Sequence, residues 1–106
     1  MKVVVKRAGQ MPEIRDIKRD LEAYYEIVGG YIECVRISDG IILVCNDEGK
    51  LKGLEPNFIL GDDIIVGDVF FVGVKGEDFT SLSDQHIKWT MKVMEAVETI
   101  RREFDE

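Results

Sequence analysis

The first part of the chain changes from a strand pattern to a helical one. Val3, Val4 and Val5 are consecutive β-branched residues, which is typical of a strand buried on both faces. Apolar residues then recur at helical spacing until Gly29-Gly30 ends the pattern; they are Ile17, Leu21, Tyr24, Tyr25 and Val28. With Asp16 as a suitable N-cap, we predict an amphipathic helix at about 16–28.

Two runs of β-forming residues, at 31–37 and 41–46, predict a hairpin. Asp39-Gly40 between them is typical of a tight turn because these residues tolerate positive φ. A two-residue loop places Cys34 opposite Cys45. We expect both cysteines to be structural thiols, with a redox pair as the alternative in an oxidising compartment.

The segment that follows has a mixed pattern. A turn is predicted at 46–50 and a short strand near 50–52, and the rest, up to residue 60, is expected to be a structured loop held by a few apolar residues. The β-rich runs at 64–66 and 69–74 predict either a second hairpin or one strand with a bulge.

The last part of the chain predicts a long helix at about 84–104. Ser83 is a suitable N-cap, and Leu82 with Ile87 can form a hydrophobic staple. Apolar residues form two neighbouring stripes along about 22 residues, or ~33 Å, which is more than one small sheet needs. We therefore predict a homodimer with an interface formed by Trp89, Val93, Val97, Ile100 and Phe104. The alternative is a monomer whose own sheet and first helix cover both stripes.

Length and composition indicate one globular domain over residues 1–106. The predicted elements give it an α+β fold with a small, mostly antiparallel sheet, a core at 1–82 and the terminal helix at 83–106. Of the 106 residues 45% are hydrophobic and 33% are charged, which excludes a disordered chain. The longest apolar run, at 41–45, is far short of the ~20 residues that a bilayer span needs. Charged residues close to Val3–Val5 argue against a signal peptide. We expect a cytoplasmic protein without membrane association.

The charge of the chain argues against nucleic-acid binding. The formal net charge is −7, although the first 19 residues carry six basic and only two acidic side chains. An acidic body repels a polyanion beside any basic patch, so no direct nucleic-acid binding is expected. An acidic nucleic-acid mimic, as carried by a phage or mobile element, stays open as an alternative.

The residues that could carry chemistry are few. Cys34, Cys45 and His86 are too few for a zinc site, and the oxygen clusters at 46–48 and 62–68 lack the spacing of a calcium loop. A Cys45–His86 pair would need tertiary proximity that nothing in the sequence indicates. No phosphate-binding glycine motif is present. We therefore expect no catalytic residue, no metal, no cofactor and no enzymatic activity.

Several segments together resemble a family of small bacterial, phage and mobile-element proteins known as domain of unknown function 3846. They are Val28-Gly29-Gly30-Tyr31-Ile32-Glu33, Val44-Cys45-Asn46-Asp47-Glu48-Gly49-Lys50-Leu51, Leu54-Glu55-Pro56-Asn57, Ile65-Val66-Gly67 with Phe70-Phe71-Val72, and Ser81-Leu82-Ser83-Asp84. The resemblance covers residues 1 to about 87 and departs from the family at Glu55, where leucine is expected. It implies a cytoplasmic accessory protein and brings no activity with it.

Candidate ligand residues lie in the turn at 46–49 and in the loop at 54–60 that follows it. Asn46 is interpreted as a turn former that bonds its own backbone, with a role in ligand binding as the alternative. A small ligand such as a nucleotide would then bind between the turn and the loop that follows, with Asn46, Asp47, Glu48, Gly49 and Asn57 as the candidate contacts. Our leading hypothesis is a homodimeric accessory protein that acts by contact with a protein partner.

Overall fold

The structure is a computed structural model that describes residues 1–104 and confirms the α+β class. In chain order the elements are β1 (Lys2–Lys6), β2 (Glu13–Asp16), α1 (Leu21–Val28), β3 (Ile32–Ser38), β4 (Ile41–Asn46), β5 (Pro56–Leu60), β6 (Asp63–Val66), β7 (Val69–Lys75), β8 (Asp78–Thr80) and α2 (Asp84–Phe104).

The main sheet is antiparallel and lies between two layers. Its order is β2-β1-β7-β4-β3, with β8 paired to the end of β7. Helix α1 covers one face, where Tyr24 packs against Phe70 with ring centroids 5.6 Å apart. Helix α2 and the separate β5–β6 hairpin cover the other face, where Phe58 stacks on Phe71. Because both faces are covered, the valines of β1 are fully buried, as their pattern predicts.

Helix α1 begins later than its pattern predicts. Residues 13–16 form the exposed edge strand β2, in which Asp16 pairs with Lys2, so Asp16 is not the N-cap. Asp20 is the N-cap instead, and its carboxylate accepts a hydrogen bond from the Ala23 amide. The predicted glycine end is confirmed: Gly29 has a φ of 79°, and its amide donates to Tyr25 O.

The β3–β4 hairpin forms at Asp39-Gly40, but its predicted register is wrong beyond the first pair. Ser38 pairs with Ile41 as expected, and a bulge at Ile37 then shifts every later pair by one residue. Cys45 consequently lies opposite Glu33, not opposite Cys34. Cys34 is exposed on the edge strand and Cys45 is buried.

The middle segment differs most from the prediction. Residues 50–52 form a turn and not a strand, and the predicted loop contains β5. Strand β6 pairs with β5, whereas β7 pairs with β1 and β4. Neither alternative for 64–74 is therefore correct, because β6 and β7 belong to different sheets.

Helix α2 confirms the predicted element and its start. Its 21 residues end at Phe104, and the last two residues of the predicted segment, 105–106, lie outside the described part of the chain. Ser83 Oγ accepts from the His86 amide at 3.1 Å. Leu82 and Ile87 are both buried, as a hydrophobic staple requires. Within residues 1–104, neither helix has the length and hydropathy needed to cross a membrane.

Candidate functional site

Helix α2 buries only one of its two apolar stripes. The stripe that contains Ile87 and Met94 faces the main sheet and is buried. On the other stripe, Trp89 is 49% exposed, Ile100 is 53% exposed and Phe104 is 85% exposed. The protein therefore presents large apolar side chains to solvent along most of a 21-residue helix.

The β5–β6 hairpin extends this exposed surface. Ile59 and Ile64 are cross-strand partners, 73% and 49% exposed. Between them and the end of α2 lies a groove of about 500 Å³, and Arg101 joins its two walls by donating to Pro56 O at 2.9 Å. We call the surface formed by these residues the apolar face; its members are Ile59, Ile64, Trp89, Val93, Val97, Ile100 and Phe104.

The apolar face contains all five residues of the predicted interface. Val93 and Val97 are half-buried and lie between the exposed residues of the stripe. The sequence pattern does not indicate Ile59 and Ile64, because it predicts a loop where β5 lies. A strand assignment for 56–60 would have paired these two isoleucines on one face.

A buried polar network fixes the position of α2 and of the hairpin. Lys6 Nζ donates to Glu98 Oε1 at 2.9 Å, to Asn57 Oδ1 at 3.0 Å and to Arg7 O at 3.0 Å. Lys6 is 0% exposed and Glu98 is 1% exposed. Burial acts to raise the pKa of Glu98, but the hydrogen bond and charge of Lys6, aided by Arg101 and Arg102, outweigh burial and hold that pKa below its usual value.

The sequence does contain a signal for this network. Lys6 follows Val4 by two residues on β1 and so shares its face of the sheet. Glu98 follows Met94 by four residues and so shares the buried stripe of α2. Opposite charges on two apolar faces that pack together are expected to pair, because an unpaired buried charge is costly.

Asn57 belongs to the same network. Its side-chain amide donates to Lys6 O and to Gly67 O, both at 2.8 Å, while its oxygen accepts from Lys6 Nζ. Asn57 is 2% exposed, so its polar atoms are engaged inside the protein. Asn57 is not among the residues that line the cleft beside the 46–49 turn, and its side chain is bonded to Lys6 and Gly67 instead.

Asn46 connects the two most specific segments of the family pattern. Its Nδ2 donates to Val28 O at 3.1 Å, and its Oδ1 accepts from the Glu48 amide at 2.8 Å. The first bond satisfies a carbonyl at the end of α1, and the second is the bond of an Asx turn. The Asp47 amide donates to Tyr31 O, so the 46–49 turn is attached directly after the helix end.

A shallow acidic cleft of about 190 Å³ adjoins this turn. Asp47 and Glu48 lie on its wall with Glu33, and Asp63 pairs there with Lys50, whose hydrogen bond lowers the pKa of the Asp63 carboxyl. Among residues 1–104, no three His, Cys, Asp or Glu side chains are arranged to hold a metal ion. The lining of the cleft is acidic, with four carboxylates and one lysine.

Cys45 lines the same cleft and is not activated as a nucleophile. Burial first, and the nearby Glu33 charge second, raise the pKa of its thiol to about 11, so it is protonated at neutral pH. His86 lies at the opposite end of β4, where a Cβ at Gly40 would come within 2.9 Å of its Cε1. Five residue steps along the strand, ~17 Å, separate Gly40 from Cys45.

The fold and the apolar face together define a small α+β protein. Its six-stranded antiparallel sheet lies between α1 on one side and α2 with the β5–β6 hairpin on the other, and the apolar face is uncovered. The chain belongs to the family described as Domain of unknown function (DUF3846), whose model matches residues 1–97. The match extends ten residues beyond residue 87, where the resemblance in the sequence is expected to end, and so includes most of α2. Neither a curated protein nor a solved structure matches the chain.

Proposed function

We propose that this protein is a non-enzymatic binding protein that acts as a homodimer, with the apolar face as the contact between copies. The observation that carries the proposal is the exposure of Trp89, Ile100 and Phe104 on α2 beside Ile59 of the hairpin. Contiguous exposed apolar surface of this kind usually marks a protein–protein contact.

The size of the face supports a second copy as its occupant. From their exposed fractions, its side chains leave on the order of 500 Å² of apolar surface in each copy. Two such faces in contact bury roughly 1,000 Å², the size at which a specific interface begins to be stable. In a two-fold symmetric dimer, the same patch of each copy contacts the same patch of the other. The apolar face alone is therefore sufficient to form the interface.

The chemical groups elsewhere support a binding role over catalysis. Asn46 and Asn57 are engaged in internal hydrogen bonds, Lys6 and Glu98 neutralise one another, and Cys45 is protonated. The proposal includes a cytoplasmic location, which agrees with the exposed free thiol of Cys34, because such thiols stay reduced in that compartment.

The proposal is tested by placing a charge on the apolar face. In Ile100→Glu, association has to desolvate an unpaired carboxylate, so the dimer dissociation constant rises roughly 100-fold. Sedimentation equilibrium over a concentration series measures this constant. Thr99→Glu is the matched control, because it adds the same charge at the next residue, which is exposed and lies off the apolar stripe.

Wild type and Thr99→Glu are expected to sediment as dimers at micromolar concentration, and Ile100→Glu as a monomer with an unchanged circular dichroism spectrum. Phe104→Glu provides a second variant at a site that is 85% exposed, where loss of folding is not at issue. A wild-type protein that stays monomeric over the whole series contradicts the proposal.

A further inference from the structure

The apolar residues of α2 are spaced symmetrically about the middle of the helix. Counting outward from the Ala96–Val97 bond, Val93 and Ile100 lie at the same distance on either side, and so do Trp89 and Phe104. A helix turned end over end therefore presents the same order of apolar positions. This self-complementarity is the property that a two-fold antiparallel contact requires.

We infer that two copies pack α2 against α2 in antiparallel orientation, with the two-fold axis beside the Ala96–Val97 bond. The inference rests on the proposed homodimer and specifies its geometry. Trp89 then lies opposite the partner's Phe104, and Val93 opposite the partner's Ile100. Ala96, a small side chain, lies at the axis and allows the helices to approach closely.

The groove beside the hairpin fits this arrangement. It is formed by the last two turns of α2 with Ile59 and Ile64. An antiparallel partner brings its Trp89 to that end of the helix, where the groove of about 500 Å³ can receive an indole ring. Indole in an apolar groove is typical of interface hot spots.

The charges that flank the stripe also favour the antiparallel orientation. Lys92 and Glu103 lie at the same edge of the stripe, on the side of α2 that faces away from its own sheet, and both are exposed. With the axis beside the Ala96–Val97 bond, Lys92 of one copy lies within about one helical turn of the partner's Glu103. The contact therefore contains two equivalent pairs of opposite charge. In a parallel dimer, the edge of α2 that carries Lys92 and Glu103 would instead meet the opposite edge of the partner helix. That opposite edge is covered by the partner's own sheet.

Pulsed electron paramagnetic resonance measures the orientation directly. A spin label at Gln85→Cys, in a Cys34→Ser background, lies between 11 and 12 residues from the axis. At 1.5 Å per residue, two labels are about 35 Å apart in the antiparallel dimer and under roughly 20 Å apart in a parallel one. The same label in Ile100→Glu is the control, and there the distance signal is expected to disappear.

Reversal of the flanking charges gives an independent test. Lys92→Glu and Glu103→Lys are each expected to raise the dimer dissociation constant several-fold, roughly what two exposed pairs contribute. The double variant Lys92→Glu/Glu103→Lys is expected to restore the wild-type constant.

The outcomes separate this inference from the proposed function. A dimer with the long label distance and charge rescue supports both. A dimer with a short distance, or without rescue in the double variant, overturns the antiparallel geometry and leaves the homodimer in place. A monomeric wild-type protein overturns both.

Discussion

Cys34 and Cys45 are on paired strands, yet their thiols are in different surroundings. Cys45 is buried and its Sγ donates to Glu33 O, whereas Cys34 is exposed on the edge strand β3. The difference in burial follows from the strands, because β3 is at the edge of the sheet and β4 is inside it. The bulge at Ile37 in addition places the two side chains on opposite faces, because a shift of one residue moves a side chain to the other face of the sheet.

We predict that one thiol of the folded protein reacts with a thiol reagent at pH 8 and that the other reacts only after unfolding. Cys34 reacts first, although more slowly than a free thiol, because partial burial and the Glu33 charge raise its pKa and reduce the thiolate fraction. Titration with and without denaturant measures both thiols. In Cys34→Ser the early phase is expected to vanish; two equal rates in the folded wild type would contradict the assignment.

At the level of single elements, Asn46 shows how a loop side chain can hold two elements together. It bonds the end of α1 and the turn after β4 at the same time. Both bonds are buried or partly buried, so their loss leaves polar backbone atoms with no protein partner.

We predict that Asn46→Ala lowers the free energy of unfolding by about 1–3 kcal/mol, the cost of leaving buried polar atoms unpaired. Asn46→Asp is expected to be destabilising too, because a carboxylate cannot donate to Val28 O and lies at the negative end of the α1 dipole. Urea unfolding measures both. Asp47→Ala, at the next and exposed residue, is the control, and equal stability of the Asp47 and Asn46 alanine variants would refute the role of Asn46.

The elements also show what the sequence can predict. Helix α2 is long, periodic and capped, so pattern and end signals agree and its bounds follow. Strand β2 is an exposed edge whose pairing to β1 depends on residues elsewhere, and β5 begins with Pro-Asn, which is typical of a loop. The width of the apolar surface of α2 predicts that one of its stripes is exposed. The contribution of Ile59 to the apolar face is not predictable, because the local pattern does not indicate strand β5.

At the scale of the whole molecule, the Lys6–Glu98 pair joins the main sheet to the layer above it. With Asn57, it links β1, α2 and the hairpin through a single ammonium group. The apolar contacts around it do not require one particular rotation of α2, whereas these hydrogen bonds do.

We predict that this pair gives the stability of the protein a specific pH dependence. Because the pKa of Glu98 is lower in the folded state than in the unfolded chain, its contribution is fully present above about pH 4.5 and is lost as the pH falls through the folded pKa. In Glu98→Gln, the free energy of unfolding at pH 7 falls by about 3–5 kcal/mol and changes less between pH 6 and pH 3 than in the wild type.

Chemical unfolding across that pH range measures the effect. Glu95→Gln, an exposed acid on the same helix, is expected to keep the wild-type profile. The double variant Lys6→Met/Glu98→Leu replaces the ion pair by two apolar side chains. Its free energy of unfolding at pH 7 is expected to be higher than that of Glu98→Gln and closer to that of the wild type. An unchanged profile in Glu98→Gln would show that the pair does not control the acid sensitivity.

The buried ammonium of Lys6 also bears on what can take the place of α2. The site beneath this helix accepts only a segment that delivers a carboxylate to Lys6 Nζ, because any other occupant would enclose an unpaired charge. An apolar helix without such an acid is therefore a poor substitute, whereas α2 of another copy carries the same glutamate and is not distinguished by this pair. Charge matching thus selects the segment that closes this side of the sheet and leaves the outer side of α2 for a neighbour.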